Sequence, residues 1–261
     1  MRGESISLRG LGVRFGAFET LRDFSLDIAS GEFVCLLGPS GCGKSTVLNV
    51  VAGFVSATGA VEVAGRPVTG PDVSRGMVFQ SSEALFPWLT VARNVAFGPR
   101  LRGVAKAEVE QVVAHYLQLV GLTPAAGKYP NELSGGMRQR VQIARVLANE
   151  PAVVLMDEPF GALDAQTREV MQGELVRIWE ATRPTVVFVT HDVEEAVRLA
   201  DRVVTMTAGP SAGLKDVFAV GLPRPRDPED PPVLALQRRA RESISEEVRR
   251  TMQAEVGATV A

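Results

Sequence analysis

The stretch EFVCLLGPSGCGKST, residues 32–46, decides the architecture of the chain. Its first half is an apolar run that ends at Gly38, which predicts a short buried strand. Its second half contains two more glycines, and an apolar periodic segment from Lys44 to about Phe54 then predicts a helix. A strand, a glycine-rich turn and a helix in this order predict an α/β fold.

The turn from Gly38 to Thr46 fits the pattern G-x-x-x-x-G-K-[ST]. Its glycines allow backbone N–H groups to turn inward around phosphate oxygens. Lys44 is then placed to reach the β- and γ-phosphates, and Ser45 to offer its hydroxyl to Mg²⁺. A chance glycine-rich turn is the alternative, but it does not require the strand and helix on either side. We expect a nucleoside triphosphate to be bound by Gly38, Pro39, Ser40, Gly41, Cys42, Gly43, Lys44, Ser45 and Thr46.

Composition indicates a globular chain. The 261 residues are 46% hydrophobic and 22% charged, enough for one large α/β domain with a subdomain. The formal net charge of −2 argues against a nucleic-acid-binding surface. Residues 1–10 lack the apolar core of a signal peptide, and no apolar run approaches the ~20 residues that cross a bilayer. Cys35 and Cys42 are expected to be free thiols in a reducing, cytosolic compartment.

The remaining pattern predicts a helical insert within the α/β core. Short antiparallel strands are expected within residues 5–37, and further strands at AVEVAG, GMVFQ, AVVLMDE and PTVVFVTH. A helical region is expected between the second and third of these, with Thr90 as an N-cap. A proline-rich linker follows Gly221, and a charged helix is expected near residues 233–255. We divide the chain into 1–80 and 151–220 for the nucleotide-binding core, 81–150 for the helical subdomain and 221–261 for the linker and C-terminal helix.

Two acids follow a predicted buried strand in AVVLMDEPF. Asp157 is suited to organise the Mg²⁺ shell, and Glu158 to polarise an attacking water. The alternative is that the two acids only cap the strand or begin a turn. Adjacent carboxylates at a buried strand end repel each other, so a nearby cation is the better explanation. Together they favour hydrolysis over simple binding.

Two more polar residues are candidates because each ends a predicted strand. His191 ends TVVFVTH and is expected to donate to the γ-phosphate or to the water. Gln80 closes GMVFQ and can contact Mg²⁺ or water through its amide. His115 lies within a predicted helix, and we assign it no catalytic role.

A second anion-binding helix start is predicted at NELSGGMRQRVQIARVL, residues 131–147. Its last dozen residues predict a helix opened by Ser134, Gly135 and Gly136, which exposes backbone N–H groups and the positive end of the helix dipole. The alternative is an ordinary N-cap serine followed by glycines. Each glycine lowers helix stability by roughly 1 kcal/mol relative to alanine, so stability alone does not favour this choice.

In combination these motifs resemble the nucleotide-binding subunits of ATP-binding cassette (ABC) transporters. The phosphate loop, Gln80, LSGGMRQR (133–140), VVLMDEPFGALD (153–164) and His191 follow the order and spacing of that family over about residues 5–225. The segment SAGLKDVFAV departs from the family pattern. The resemblance implies a P-loop NTPase core of the ABC ATPase type, with N-terminal antiparallel strands and an inserted helical subdomain.

The resemblance also implies a head-to-tail dimer with a second copy or a related subunit. Ser134, Gly135 and Gly136 of one protomer would face the γ-phosphate held by Lys44 of the other, and Asp164 would line the seam. Phe15 matches the position of the family's adenine-stacking aromatic, although a core-facing strand residue is equally consistent with the sequence.

The segment QSSEALFPWLTVARNVAFG, residues 80–98, resembles the region that receives a permease. Phe86 and Trp88 would form that docking surface, although Trp88 could instead be a packing staple of the helical subdomain. LFPWLTV, LPRPRD and SGGMRQR look most like importer subunits for nitrate, sulfonate and taurine.

The resemblance therefore implies an ATPase, using ATP and Mg²⁺, that is peripheral on the inner face of the cell membrane. Its partners would be a permease and, indirectly, a solute-binding protein outside the cytoplasm, with no nucleic acid. A soluble ABC ATPase in cofactor assembly is the alternative. A P-loop kinase or GTPase would share only the first motif, and the chain contains no Asn-Lys-x-Asp segment.

Overall fold

The computed structural model describes residues 3–81 and 84–259, with side chains up to residue 249. The described strands are β1 (Ile6–Phe15), β2 (Phe18–Ile28), β3 (Phe33–Leu37), β4 (Thr58–Val63), β5 (Arg66–Pro67), β6 (Arg75–Val78), β7 (Val153–Asp157), β8 (Thr185–Thr190), β9 (Arg202–Met206) and β10 (Leu214–Ala219). The described helices are α1 (Lys44–Ala52), α2 (Val91–Leu101), α3 (Lys106–Leu119), α4 (Gly135–Leu147), α5 (Ala165–Thr182), α6 (Val193–Leu199) and α7 (Pro231–Thr259).

The chain forms two compact units, which we name by their place in the sequence. Val73–Pro184 forms the middle unit, and the described residues up to Asp72 and from Thr185 onward form the terminal unit. Each unit combines strands with helices, so the predicted α/β class is confirmed.

The terminal unit begins with an antiparallel sheet of order β2-β1-β4-β5, which confirms the predicted N-terminal strands. Ile6 of β1 lies opposite Ile28 on one side and Val63 on the other, and all three side chains are buried. Gly59 has a φ of 84°, and a Cβ there would lie 2.3 Å from the carbonyl oxygen of Arg9. Only glycine permits this close approach of β4 to β1.

The same unit contains a second set of strands around β3. This strand pairs in parallel with β8 and β9, and β10 pairs antiparallel with β9. Every residue of β3 and β8 is buried, as expected for parallel strands covered on both faces. The atypical segment SAGLKDVFAV contributes β10, with Val217 opposite Val204. It therefore forms an edge strand, with one register shift between Leu214 and Asp216.

Two arginines fix the proline-rich segment after Gly221, which the sequence suggested was a linker. Arg226 is only 6% exposed and donates to the carbonyls of Val197 and Ala200 at 2.8 and 2.6 Å. Arg224 bonds Asp201 at 2.8 Å. These contacts hold the segment against the C-terminal end of α6, where backbone carbonyls have no partner within the helix. The segment is therefore a docked element.

The C-terminal helix α7 is longer than predicted and is also docked. It packs on α6, β9 and β10. The Ser243 hydroxyl lies 3.0 Å from the Thr205 hydroxyl and donates to Asp216 at 2.6 Å. Glu247 is 1% exposed, pairs with Lys215 at 3.0 Å and accepts a backbone N–H at 2.8 Å. Because these buried polar groups satisfy one another, they fix the register of α7 on the two strands.

The middle unit pairs β6 with β7 in parallel, with Met77 opposite Leu155. Between these strands in sequence come α2, α3 and α4, the predicted helical insert, and α5 follows β7. Thr90 is the N-cap of α2, as predicted, and its hydroxyl accepts from the N–H of Arg93 at 3.3 Å. Asn94 is fully buried in this helix.

Two predicted boundaries were wrong. The strand GMVFQ ends at Val78, so Gln80 lies beyond it. The helical region expected from residue 81 begins only at Val91, after an irregular segment. Ser82 and Glu83 of that segment lie outside the described residues. Within the described chain, no helix is long and apolar enough to cross a membrane.

Candidate functional site

The predicted phosphate loop connects β3 to α1 in the terminal unit. Gly41 and Gly43 have φ values of 76° and 89°, in the left-handed region that glycine adopts without strain. A Cβ on Gly43 would also lie 2.8 Å from Leu21. Both glycines are therefore needed for the turn, and the loop leads directly into the N-terminus of α1, where the helix dipole favours an anion.

Lys44 is buried, and its ammonium group is held by the loop itself. Its Nζ donates to the carbonyls of Gly38 and Pro39 at 2.8 and 2.7 Å. These two carbonyls satisfy the buried cation, which shapes the loop from within. Ser45 and Thr46 follow at the start of α1, where both are half-buried.

Both cysteines are free thiols and are buried, as expected. Burial raises the pKa of Cys35 and of Cys42, although Lys44 opposes the shift at Cys42. A raised pKa keeps each thiol protonated and unreactive at neutral pH. Cys42 therefore packs within the phosphate loop as a small apolar residue.

The terminal unit also contains His191 and Phe15. His191 is exposed and lies directly after β8, which ends at Thr190, one residue earlier than predicted. Phe15 ends β1 opposite Phe18, and the two side chains are 53% and 54% exposed. The interpretation of Phe15 as a core-facing strand residue is therefore wrong, and its ring is accessible to a ligand.

The predicted acidic pair lies in the middle unit at the end of β7. Asp157 is its last residue and is buried, whereas Glu158 is partly exposed. Glu158 has a φ of 43°, a left-handed conformation that non-glycine residues rarely adopt. Residues in this conformation persist where the surrounding structure holds them, and they cluster at active sites. The Nε2 of Gln80 donates to Glu158 Oε2 at 3.2 Å, so two of the predicted catalytic residues are in direct contact.

Ser134 is the N-cap of α4, and its hydroxyl accepts from the N–H of Met137 at 3.3 Å. The two glycines that follow differ in their surroundings. A Cβ on Gly136 would lie 3.1 Å from Leu163 and 3.2 Å from the carbonyl oxygen of Ala162, so the space there is tight. A Cβ on Gly135 would have only the end of the Arg138 side chain within 4 Å. The choice of glycine at 135 is therefore not explained by packing within the chain.

Asp164 is the N-cap of α5 in the middle unit. Its carboxylate accepts from the N–H of Thr167 at 2.9 Å, and this bond lowers the pKa of Asp164. The side chain is exposed and ionised at neutral pH. It therefore has a structural role in its own chain while presenting a negative charge to solvent.

The predicted permease-docking residues lie just before α2. The rings of Phe86 and Trp88 are 5.5 Å apart, and Trp88 is 70% exposed. Asn94 holds this loop: it accepts from the N–H of Phe86 and donates to the carbonyls of Phe86 and Leu89 at 3.0–3.1 Å. Arg145 of α4 stacks over the Phe86 ring, 4.2 Å from its centre. Because Trp88 is so exposed, it does not act as a packing staple.

Sequence reasoning missed the polar side chains that support these residues. Asn94, Gln142 and Glu19 are each fixed by several hydrogen bonds, Gln139 by one, and none of the four was singled out. A signal was present for two of them. Gln139 and Gln142 interrupt the apolar side of α4, which is formed by Val141, Ile143, Ala144 and Leu147. A buried amide at such a position requires a specific partner.

The family model described as ABC transporter matches residues 21–161, more than half of the chain. The nitrate import ATP-binding protein of Synechococcus elongatus is 48% identical over 217 residues, which cover 82% of this chain and 79% of that protein. The taurine import ATP-binding protein of a Jannaschia species is 49% identical over 211 residues, 78% of each chain.

Solved structures give the same result for the fold. An ATP-binding cassette, determined as a dimer in a post-hydrolysis state with ADP and Pi, superposes with a TM-score of 0.73. It is 31% identical, and the match covers 82% of this chain and 98% of that one. The predicted fold of an ATP-binding cassette is thereby confirmed.

Proposed function

The chain belongs to the ABC transporter family, and on that premise we propose that it is the ATPase subunit of an importer for a small solute. As an ABC ATPase it hydrolyses ATP. Relatives named for nitrate import and taurine import support the importer assignment, and their solutes give the proposed substrate class of nitrate, sulfonate or taurine-like compounds. The division into a core of 1–80 and 151–220, a subdomain of 81–150 and a tail of 221–261 is part of the same proposal.

ATP is proposed to bind at the phosphate loop of the terminal unit. The backbone N–H groups between Gly38 and Thr46 surround its phosphates, and Lys44 exchanges loop carbonyls for phosphate oxygens. Phe15 is proposed to stack on adenine, which its 53% exposure permits.

Mg²⁺ is proposed to accompany the nucleotide, with Ser45, Gln80 and Asp157 as its protein ligands. A hydroxyl, an amide carbonyl and a carboxylate supply the hard oxygen atoms that Mg²⁺ prefers. Among the described residues no three His, Cys, Asp or Glu side chains form a metal cluster. When bound, the ion neutralises charge that develops on the phosphates.

Hydrolysis is proposed to use Glu158 as the base that polarises the attacking water. Gln80, in contact with Glu158 at 3.2 Å, orients that water through its amide. His191 donates a hydrogen bond to the γ-phosphate or to the water. The left-handed backbone at Glu158 fixes the direction of the carboxylate before substrate binds.

A head-to-tail dimer is proposed to complete each nucleotide site. Ser134, Gly135 and Gly136 of one protomer then contact the γ-phosphate bound by the other, and Asp164 lies at the seam. The lack of a packing reason for glycine at 135 supports a close approach there. The dimeric state of the similar cassette with ADP and Pi supports the same arrangement.

The observation that carries the transporter role is the exposure of Trp88. Trp88 is 70% exposed, and its loop is held by buried Asn94 and by Arg145. It therefore presents a rigid apolar surface to a partner. We propose that Phe86 and Trp88 dock to the cytoplasmic surface of a permease, which places the chain at the inner face of the membrane. A solute-binding protein outside the cytoplasm then acts only through that permease.

A tagged pull-down from gently solubilised native membranes tests this proposal, with bound proteins identified by mass spectrometry. A multi-span permease in near-equal amount, lost in Trp88→Ala but kept in a variant of exposed Leu101→Ala, is the expected result. Recovery of soluble partners only, from membranes shown to be well solubilised, would instead support the cofactor-assembly alternative.

A further inference from the structure

The segment Phe79–Ser81, which carries Gln80, is held by two side chains of α4. The N–H of Phe79 donates to Gln142 Oε1, and Gln142 Nε2 donates to the carbonyl of Ser81 at 2.9 Å. Gln139 Nε2 donates to the carbonyl of Phe79 at 3.1 Å. Since β6 has already ended at Val78, these amides replace the strand ladder on both sides of Gln80.

Both glutamines are almost completely buried, at 1% and 2% exposure. The Oε1 atom of Gln139 is buried without a hydrogen-bond partner among the described residues. A buried unpartnered oxygen destabilises the fold, and methionine or leucine would fill similar volume without that cost. Packing therefore does not explain why glutamine occupies both positions. The hydrogen bonds of the two side chains to the residues on either side of Gln80 do explain it.

The same helix connects three parts of the proposed machinery. Ser134 caps its start, Gln139 and Gln142 follow on one side, and Arg145 lies one turn further on. Arg145 donates to the carbonyl of Ala84 at 2.8 Å and stacks over Phe86. A shift of α4 therefore moves the backbone at Phe79–Ser81 and at Ala84, together with the ring of Phe86.

We propose that Gln142, with Gln139 beside it, is a positioning residue that holds Gln80 against Glu158. This inference rests on the proposed role of Gln80 in hydrolysis. Through the two glutamines, contact of the α4 start with a partner's nucleotide is transmitted to the Gln80–Glu158 pair. Neither glutamine needs to touch ATP.

A double-mutant cycle in the full-length chain tests the proposal. Phosphate release is measured over a range of ATP concentrations for wild type, Gln142→Met, Gln80→Ala and the double variant. We expect Gln142→Met to lower kcat about tenfold with KM for ATP changed less than about threefold, and to lower kcat less than about twofold when Gln80 is already alanine.

Two further variants separate positioning from folding. Gln142→Glu keeps the acceptor for the Phe79 N–H but loses the donor to Ser81, so an intermediate kcat is expected. If circular dichroism shows that Gln142→Met is not folded, Gln142→Glu replaces it in the double-mutant cycle. Gln237→Met replaces a buried glutamine of α7, which packs on α6, β9 and β10, and is expected to leave kcat unchanged.

The other outcomes overturn the inference. An equal fall in kcat with and without Gln80, or no fall at all, means that Gln142 does not act through Gln80. Wild-type kcat in Gln80→Ala would remove the proposed role of Gln80 together with this inference, but would leave the ATPase assignment intact. Absence of ATP hydrolysis by the wild-type chain would refute the proposed function itself.

Discussion

Truncation of Arg226 to alanine removes the cation that caps the C-terminal end of α6. Its guanidinium donates to the carbonyls of Val197, Arg198 and Ala200, and to Leu222 at 2.9 Å through a second nitrogen. Burial and then the charge of Arg224 lower its pKa to about 10, so the group remains charged at neutral pH. We expect Arg226→Ala to destabilise the fold strongly, since the carbonyls at the end of α6 lose a buried, charged donor.

The expected loss in the free energy of unfolding follows from the two shortest hydrogen bonds of Arg226. The bonds to Val197 and Ala200 are 2.8 and 2.6 Å, and hydrogen bonds to a charged group contribute about 1.5–3 kcal/mol each, or about 3–6 kcal/mol together. Removing the charge returns part of its desolvation cost, and water reaches part of the space left behind. We therefore expect a net loss of about 3 kcal/mol in the free energy of unfolding.

Urea unfolding followed by circular dichroism gives that free energy, and hydrogen exchange of the α6 amides localises the effect. Arg226→Lys keeps the charge but not the forked geometry, so it should recover only part of the loss. Arg238→Ala, at an exposed position of α7, is the matched control and should stay within about 0.5 kcal/mol of wild type. If Arg226→Ala lost less than about 1 kcal/mol, the capping interpretation would be wrong.

Three further predictions concern other parts of the chain. Glu158→Gln is expected to keep ATP binding but lower turnover at least about a hundredfold, because an amide cannot accept the proton of water; equilibrium nucleotide binding and phosphate release measure the two effects, and near-normal turnover would remove Glu158 as the base. Ser134→Arg is expected to prevent ATP-dependent dimerisation, which light scattering measures. In mixed dimers with Lys44→Ala, the pattern of lost activity would identify which protomer supplies each half of a site. Unchanged dimerisation and hydrolysis in Ser134→Arg would exclude contact of Ser134 with the partner's nucleotide. Hydrogen bonds from Ser211, and then from two arginines, lower the pKa of Glu19 from 4.5 to about 2, so its stabilising effect is complete above about pH 4.5 and is lost as pH falls toward about 2. The difference in urea midpoint between wild type and Glu19→Gln should therefore narrow at acidic pH, and a constant difference would contradict this.

The sequence predicted those parts of the fold whose cause is local. The strand before Gly38, the helix after it and the glycine turn between them follow from apolar runs and backbone freedom within fifteen residues. The N-cap at Thr90 follows equally from a hydroxyl at the right offset. In each case neighbours in the chain supply the determining interaction.

The errors arose where distant residues supply the interaction. The strand predicted to reach Gln80 ends at Val78, because the following backbone groups bond to glutamines about 60 positions later in the sequence. The segment with Arg224 and Arg226 reads as a linker because proline spacing is visible and the carbonyls that bind the arginines are not. A buried polar partner of this kind has no local signature in the sequence.

The left-handed backbone at Glu158 also affects how the enzyme can be engineered. Glycine or asparagine would relieve the strain of a φ of 43°, but neither offers a carboxylate to water. Selection for heat resistance alone would therefore favour the loss of Glu158, and consensus or thermostability libraries should hold this position fixed. At Glu158, thermal stability and catalytic turnover therefore favour different residues.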